Sequence, residues 1–259
     1  MSRKNWTRLE LLAAFNLYCH TPFGRLHRNN TDIIRLAQSI GRTPSALAMK
    51  LVNFAAFDPV QQARGIRGLG NTSRADGEIW REFNDNPETI AIQSQIAIEQ
   101  FLESPQKSED SNMREDASDL LPMGPTEVIR SVKVRLVQSF FRDAVLTSYD
   151  FRCAVCNLNI IEMLNASHII PWRQNVERRA DPRNGLSLCV LHDRAFDRGL
   201  FTLNNQFQVV LSQQLKNLSE NHMQTVAFTE MEGQIIKMPQ RFSPDPAALL
   251  FHREHIFQN

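Results

Sequence analysis

Residues 150 to 200 constrain this chain more than any other stretch. Cys153 and Cys156 form a C-x-x-C pair, and Cys189 and His192 repeat that spacing downstream. Two such pairs can place four side chains on one tetrahedral ion. Between them His168 stands alone in an apolar run, and Asn184 follows after Asp181-Pro-Arg. Asp193 and Asp197 come next, spaced i, i+4 on a short expected helix. Taken singly, each piece has an ordinary reading. A lone C-x-x-C can be two buried thiols or a redox pair. A histidine on an apolar strand is usually a satisfied core residue. Two aspartates interleaved with Arg194 and Arg198 make a salt-bridged helix face. An asparagine after Asp-Pro is a turn residue. The order and spacing of all of them together ask for a different explanation.

In that order the residues resemble the HNH endonuclease family, also called ββα-metal or His-Me finger nucleases. Within it they are similar to bacterial restriction-type members that carry a helical N-terminal domain. The resemblance implies that His168, at the end of a first strand and just before Ile170-Pro171, is the general base. It implies that Asn184 opens a second strand and belongs to the catalytic set. It implies a structural Zn²⁺ on Cys153, Cys156, Cys189 and His192. Asp193 then falls on the catalytic-metal position and Asp197 on a further ligand. Two departures matter. Ser167 stands where the family often has His or Asp, and carboxylates replace the closing histidines. Carboxylates suit Mg²⁺ or Mn²⁺ better than Zn²⁺ at the catalytic position. A shifted register, with His192 on the catalytic metal and no structural zinc, stays open at this point.

The residue types fit the chemistry. Phosphodiester hydrolysis needs a nucleophile made from water near neutral pH, and a histidine can take that proton. It also needs positive charge where the phosphate oxygens gain negative charge, which a hard divalent ion supplies. A small ββα unit buries little core, and a structural zinc adds order where the core is thin.

At 259 residues and 42% hydrophobic content the chain is long enough for two domains with proper cores. It has no apolar run of membrane-span length and no apolar segment at its start, so a cytoplasmic protein without membrane attachment is expected. Four cysteines, three in one metal pattern, suit a reducing compartment; Cys19 reads as a buried thiol. The net charge of +1 hides an asymmetry. Residues 1 to 81 carry +7, residues 82 to 120 carry −8 and residues 126 to 200 carry +3. Basic surface suits a phosphate partner, although scattered arginines alone mean little.

The expected fold class is α+β. Residues 1–100 read as a helical DNA-recognition domain, 101–125 as an acidic flexible linker and 126–259 as the zinc-containing nuclease domain. In the first part Trp6, Leu9, Ala13 and Leu17 recur at helical spacing. A second helix ends at Gly41, and Thr43-Pro44 caps a third. Helix, glycine turn, helix is a helix-turn-helix pattern, with an ordinary three-helix bundle as the alternative. On that pattern Lys50 and Asn53 occupy the free face of a recognition helix, with Arg42 at its entrance. Arg67 and Arg74 lie in a Gly- and Arg-rich loop, and Trp172 and Arg173 in the loop after His168; all four are candidate DNA contacts. In the second part a helix is expected from about Thr126 to Tyr149. Strands follow at 163–170 and 185–190, a helix from His192, a hairpin from Leu200 to Leu211, and a closing helical tail.

The sequence thus reads as a metal-dependent DNA endonuclease of restriction or defence type acting on double-stranded DNA. A homodimer fits, because each ββα site nicks one strand. Two other readings stand beside it: a nuclease for RNA or structured or single-stranded DNA, and a non-catalytic DNA-binding protein on a degenerate HNH scaffold.

Overall fold

The computed structural model describes residues 5–66, 72–102, 125–217 and 221–259. The fold is α+β, mostly helical with two small antiparallel sheets. Helix α1 (Arg8–His20) starts at a reciprocal cap: Glu10 N–H donates to the Thr7 hydroxyl, and Thr7 N–H donates to the Glu10 carboxylate. Asn30 caps α2 (Thr31–Ser39). The chain then turns at Gly41, whose φ of +67° is strained for any residue with a side chain. Thr43 caps α3 (Pro44–Ala55), with proline at its first position. The short α4 (Pro59–Ala63), α5 (Arg74–Asp85) and α6 (Pro87–Leu102) complete the helical body. Every residue of α1 from Glu10 to Cys19 is buried, because α3, α5 and α6 surround it.

The expected recognition face of α3 is where structure and sequence reading part. Lys50 and Asn53 are buried there, both bonded to the Asp76 carboxylate. The Lys50 Nζ–Asp76 Oδ1 distance is 2.6 Å. The cause is α5, which lies across that face and brings Asp76, the third residue of its own capping box. Arg42 is engaged as well. It pairs with Glu10 at 2.8 Å, donates to the Asn5 carbonyl and lies over the Trp6 ring.

Residues 103–124, nearly all of the expected acidic linker, lie outside the described residues, as does Arg67. Helix α7 (Pro125–Ser148) follows. It packs against α1 and α6 and also against the strands of the first sheet. Val137, Phe140 and Ala144 join the core of the helical body, whereas Phe141 and Val145 join the core around the sheet. One helix therefore serves two cores.

Strands β1 (Leu164–His168) and β2 (Gly185–Cys189) pair antiparallel, with His168 opposite Gly185 and Leu164 opposite Cys189. Helix α8 (Val190–Asp197) continues directly from β2. The expected hairpin is β3 (Phe201–Leu203) and β4 (Val209–Leu211). Two short helices, α9 (Gln213–Lys216) and α10 (His222–Ala227), precede α11 (Pro246–His255), which begins earlier than the sequence pattern suggested and packs on β3.

The segment before α11 inserts into the helical body. Phe242 stacks on Trp80 with ring centroids 6.0 Å apart, and its N–H donates to Asp58. The Gln61 side chain donates to the Gln240 carbonyl at 2.6 Å. Arg241 is fully buried and donates to the carbonyls of Tyr18 and Thr21. Among the described residues no helix is long and apolar enough to cross a membrane.

Candidate active site and metal centre

The metal centre starts from a knuckle after α7. Asp150, Phe151 and Asn157 take positive φ there. The bend returns Asn157 N–H to the Cys153 carbonyl and Cys153 N–H to the Leu158 carbonyl. This turns both sulfurs toward the β2–α8 junction. One ligand atom from each of Cys153, Cys156, Cys189 and His192 lies within 4.8 Å of all the others. A tetrahedral ion with Zn–S bonds of about 2.3 Å needs sulfurs about 3.8 Å apart. Cys156 Sγ and Cys189 Sγ are 3.9 Å apart. His192 Nδ1 lies 3.1 Å from Cys189 Sγ and 3.5 Å from Cys153 Sγ. Its other nitrogen, Nε2, sits 2.8 Å from the Ala227 carbonyl. That partner puts the ring proton on Nε2 and leaves the Nδ1 lone pair facing the thiols, as a metal-binding histidine requires. Hydrogen bonds from Cys153 and Cys156 hold the Cys189 thiol far below its ordinary pKa. The same crowding raises that of Cys156. Three thiols and one imidazole in this space suit zinc.

Next to it lies a second constellation. His168 ends β1, and Asp193 and Asp197 project from α8. All three line one cleft of about 460 Å³, together with Arg142 and Gln138 from α7 and Trp172 from the loop after β1. The Phe141 ring stacks on the His168 imidazole, centroids 3.7 Å apart and planes within 10°. Trp172 meets the same ring edge-on. His168 Nε2 is 3.1 Å from the Arg179 carbonyl, so the proton belongs on Nε2 and the free lone pair on Nδ1. Burial lowers the His168 pKa below its ordinary value of 6.5, with the Arg179 carbonyl opposing and the Arg179 charge assisting.

Asp193 Oδ2 accepts a 2.7 Å hydrogen bond from the Asn165 amide, which fixes the carboxylate. Burial raises the Asp197 pKa, and the neighbouring Asp193 charge adds to it, while Arg194 and Arg198 oppose. Two carboxylates that repel each other at the edge of one cleft are a donor set for a hard cation. The His192 ring faces the thiols, and Asp193 lines the cleft.

Asn184, expected in the catalytic set, stands behind the cleft rather than in its lining. It is buried, and its amide brackets the chain after His168. Oδ1 accepts from Ile170 N at 2.8 Å, and Nδ2 donates to the carbonyls of Ile170 and Arg178. It positions the loop that carries the Arg179 carbonyl and does not line the cleft. Gly185, one residue on, is required by packing. A Cβ there would lie 2.4 Å from Val145 Cγ2 and 2.8 Å from Phe141 Cζ, the ring that supports His168.

The remaining expected contacts are dispersed. Trp172 packs partly against the helical core, with Arg179 over its ring and donating to its carbonyl. Arg173 is exposed. Arg74 is almost fully exposed and pairs with Glu78 one turn along α5. Sequence reasoning missed Asn165, Gln138 and Arg142. Asn165 had a weak signal, an amide inside an apolar strand. The α7 residues had none, because nothing in the sequence says that this helix borders the cleft.

Residues 153–204 match the family model described as HNH endonuclease. No curated protein matches the chain.

Proposed function

The chain carries an HNH endonuclease domain, and from that premise we propose that it is a metal-dependent DNA endonuclease of restriction or defence type. The observation that carries this reading is one cleft lined by His168, Asp193 and Asp197, backed by a Cys₃His cluster at the other end of the same sheet and helix. In this reading His168 is the general base. Its Nδ1 accepts the proton of the attacking water, while the Arg179 carbonyl holds the opposite nitrogen and Phe141 holds the ring plane. The depressed pKa keeps the ring neutral, and therefore basic, at neutral pH.

Asp193 and Asp197 would hold Mg²⁺ or Mn²⁺, with Asn165 fixing the first carboxylate. Such an ion, when bound, supplies positive charge beside the scissile phosphate. Cys153, Cys156, Cys189 and His192 would hold a Zn²⁺ that ties the knuckle to the root of α8. Asn184 and Gly185 set the position of the base. Double-stranded DNA is the proposed substrate, with two copies of the chain making the two nicks of a duplex cut.

A substrate panel tests the substrate assignment. Supercoiled plasmid from methylating and non-methylating hosts, single-stranded DNA and RNA are each incubated with Mg²⁺ or Mn²⁺, and the ends are mapped. Nicked and linear plasmid with mapped ends is the expected product. Cleavage of RNA or single strands with intact plasmid would contradict a duplex-DNA enzyme.

A further inference from the structure

We propose that Arg142 is the cation that holds the scissile phosphate in the cleft. The inference rests on the nuclease reading above and adds to it the residue that grips the substrate. Arg142 lines the same cleft as His168, Asp193 and Asp197, and it comes from α7, outside residues 153–204. It is half-buried. Among the described residues it has no hydrogen bond and no ion pair. Arg194 and Arg198, which flank the two aspartates on α8, likewise have no side-chain hydrogen bond or ion pair among the described residues, but neither lines the cleft. Arg178 pairs with Asp245, Arg183 pairs with Asp181, and Arg179 is spent on the Trp172 carbonyl and ring. Among the described residues the cleft lining has one arginine, Arg142.

Its placement is fixed by the packing of the base. Phe141, the preceding residue, stacks on His168, so the α7 backbone cannot shift without moving both groups. Gln138 lies one turn before Arg142 and also lines the cleft, and exposed Arg135 lies one turn before that. Spacing of three and four residues puts all three on one face of α7. This face offers amide and guanidinium donors along a line leading to the base. A guanidinium matches phosphate oxygens bidentately, and its charge is worth more in a half-buried site than in water. Gripping the phosphate as negative charge builds on its oxygens raises the cleavage rate itself.

The test uses full-length protein and a supercoiled plasmid in single-turnover cleavage, with protein in excess until the rate saturates. DNA binding is measured separately in Ca²⁺ over a salt series. Arg142→Ala is compared with Arg142→Lys, His168→Ala and wild type, each with its thermal transition recorded. The expected result for Arg142→Ala is a saturated rate lower by about ten- to a thousandfold. Its slope of log affinity against log salt should be smaller by about one unit. Arg142→Lys, which keeps the charge, should recover part of both and serves as the folded control. A saturated rate within about threefold of wild type, or a loss of binding alone, would overturn the assignment. If wild type cuts, His168→Ala does not and Arg142→Ala is unimpaired, the Arg142 assignment falls and the nuclease reading stands. If wild type is inert, both fall.

Discussion

A histidine stacked on a phenylalanine, with one nitrogen held by a backbone carbonyl, is kept in one ring plane and one tautomer. Burial and the stack favour the neutral imidazole of His168, and the Arg179 carbonyl selects the tautomer. A pH profile follows. The depressed pKa means that the base stays deprotonated down to below pH 6.5, and activity is lost only as pH falls through the lowered value. The acid limb of the saturated cleavage rate should therefore have its midpoint below 6.5; a midpoint above 7 would contradict the environment described. Asp193 and His192 separate in the same way. Asp193→Ala should abolish cleavage in Mg²⁺ while about one zinc per chain remains by metal analysis, and excess Mn²⁺ should restore part of the activity. His192→Ala should lose zinc and lower the melting temperature. A variant of His192 that keeps its zinc and fold but loses cleavage would reverse the two roles.

The elements show why some of this was legible from sequence and some was not. Ligand spacing, capping residues and the glycine turn are local, so the metal quartet, the α2–α3 turn and the β1–β2–α8 order could be read from residue types. Which face of a helix is covered is not local. Lys50 and Asn53 stand on the polar side of α3, and a polar side reads as free until α5 brings Asp76 onto it. The separate α6 is hidden for a similar reason: its apolar residues do not form a clean stripe, because α1, α2, α5 and α7 pack around it. The buried pair gives a prediction opposite to a recognition role. Lys50→Ala leaves Asp76 buried without its cation and should cost about 3–5 kcal/mol of stability. The salt dependence of DNA binding should not change. A stable variant with a flattened salt slope would return Lys50 to the DNA surface. Gly185 belongs to this scale too. Gly185→Ala should push Phe141 off His168 and depress cleavage more than stability, checked by comparing saturated rate with thermal melting.

For the whole molecule, the chain ends matter as much as the catalytic fold. The sequence predicts two domains joined by an acidic linker, most of which lies outside the described residues. Helix α7 contributes Phe140 to one core and Phe141 to the other, and Arg241 and Phe242 return from the C-terminal part into the helical body. Charge counts and composition could not report such contacts, since they depend on residues far apart in sequence. Arg241→Ala should leave the carbonyls of Tyr18 and Thr21 without their buried donor. Loss of a satisfied buried network of this kind costs about 1–3 kcal/mol per group. Because the cores are shared, the variant should melt in one earlier transition; a helical body that melts alone, with the zinc part unchanged, would mean the two halves are independent.

The central claim is that this cleft hydrolyses DNA with His168 as base. The most direct measurement is single-turnover plasmid cleavage in Mg²⁺ or Mn²⁺ by wild type and by His168→Ala, both checked for zinc content and folding. The account predicts nicked and linear products from wild type, and a rate at least about a hundredfold lower from the variant with DNA binding retained. A folded, zinc-loaded His168→Ala protein that cuts as fast as wild type would contradict it.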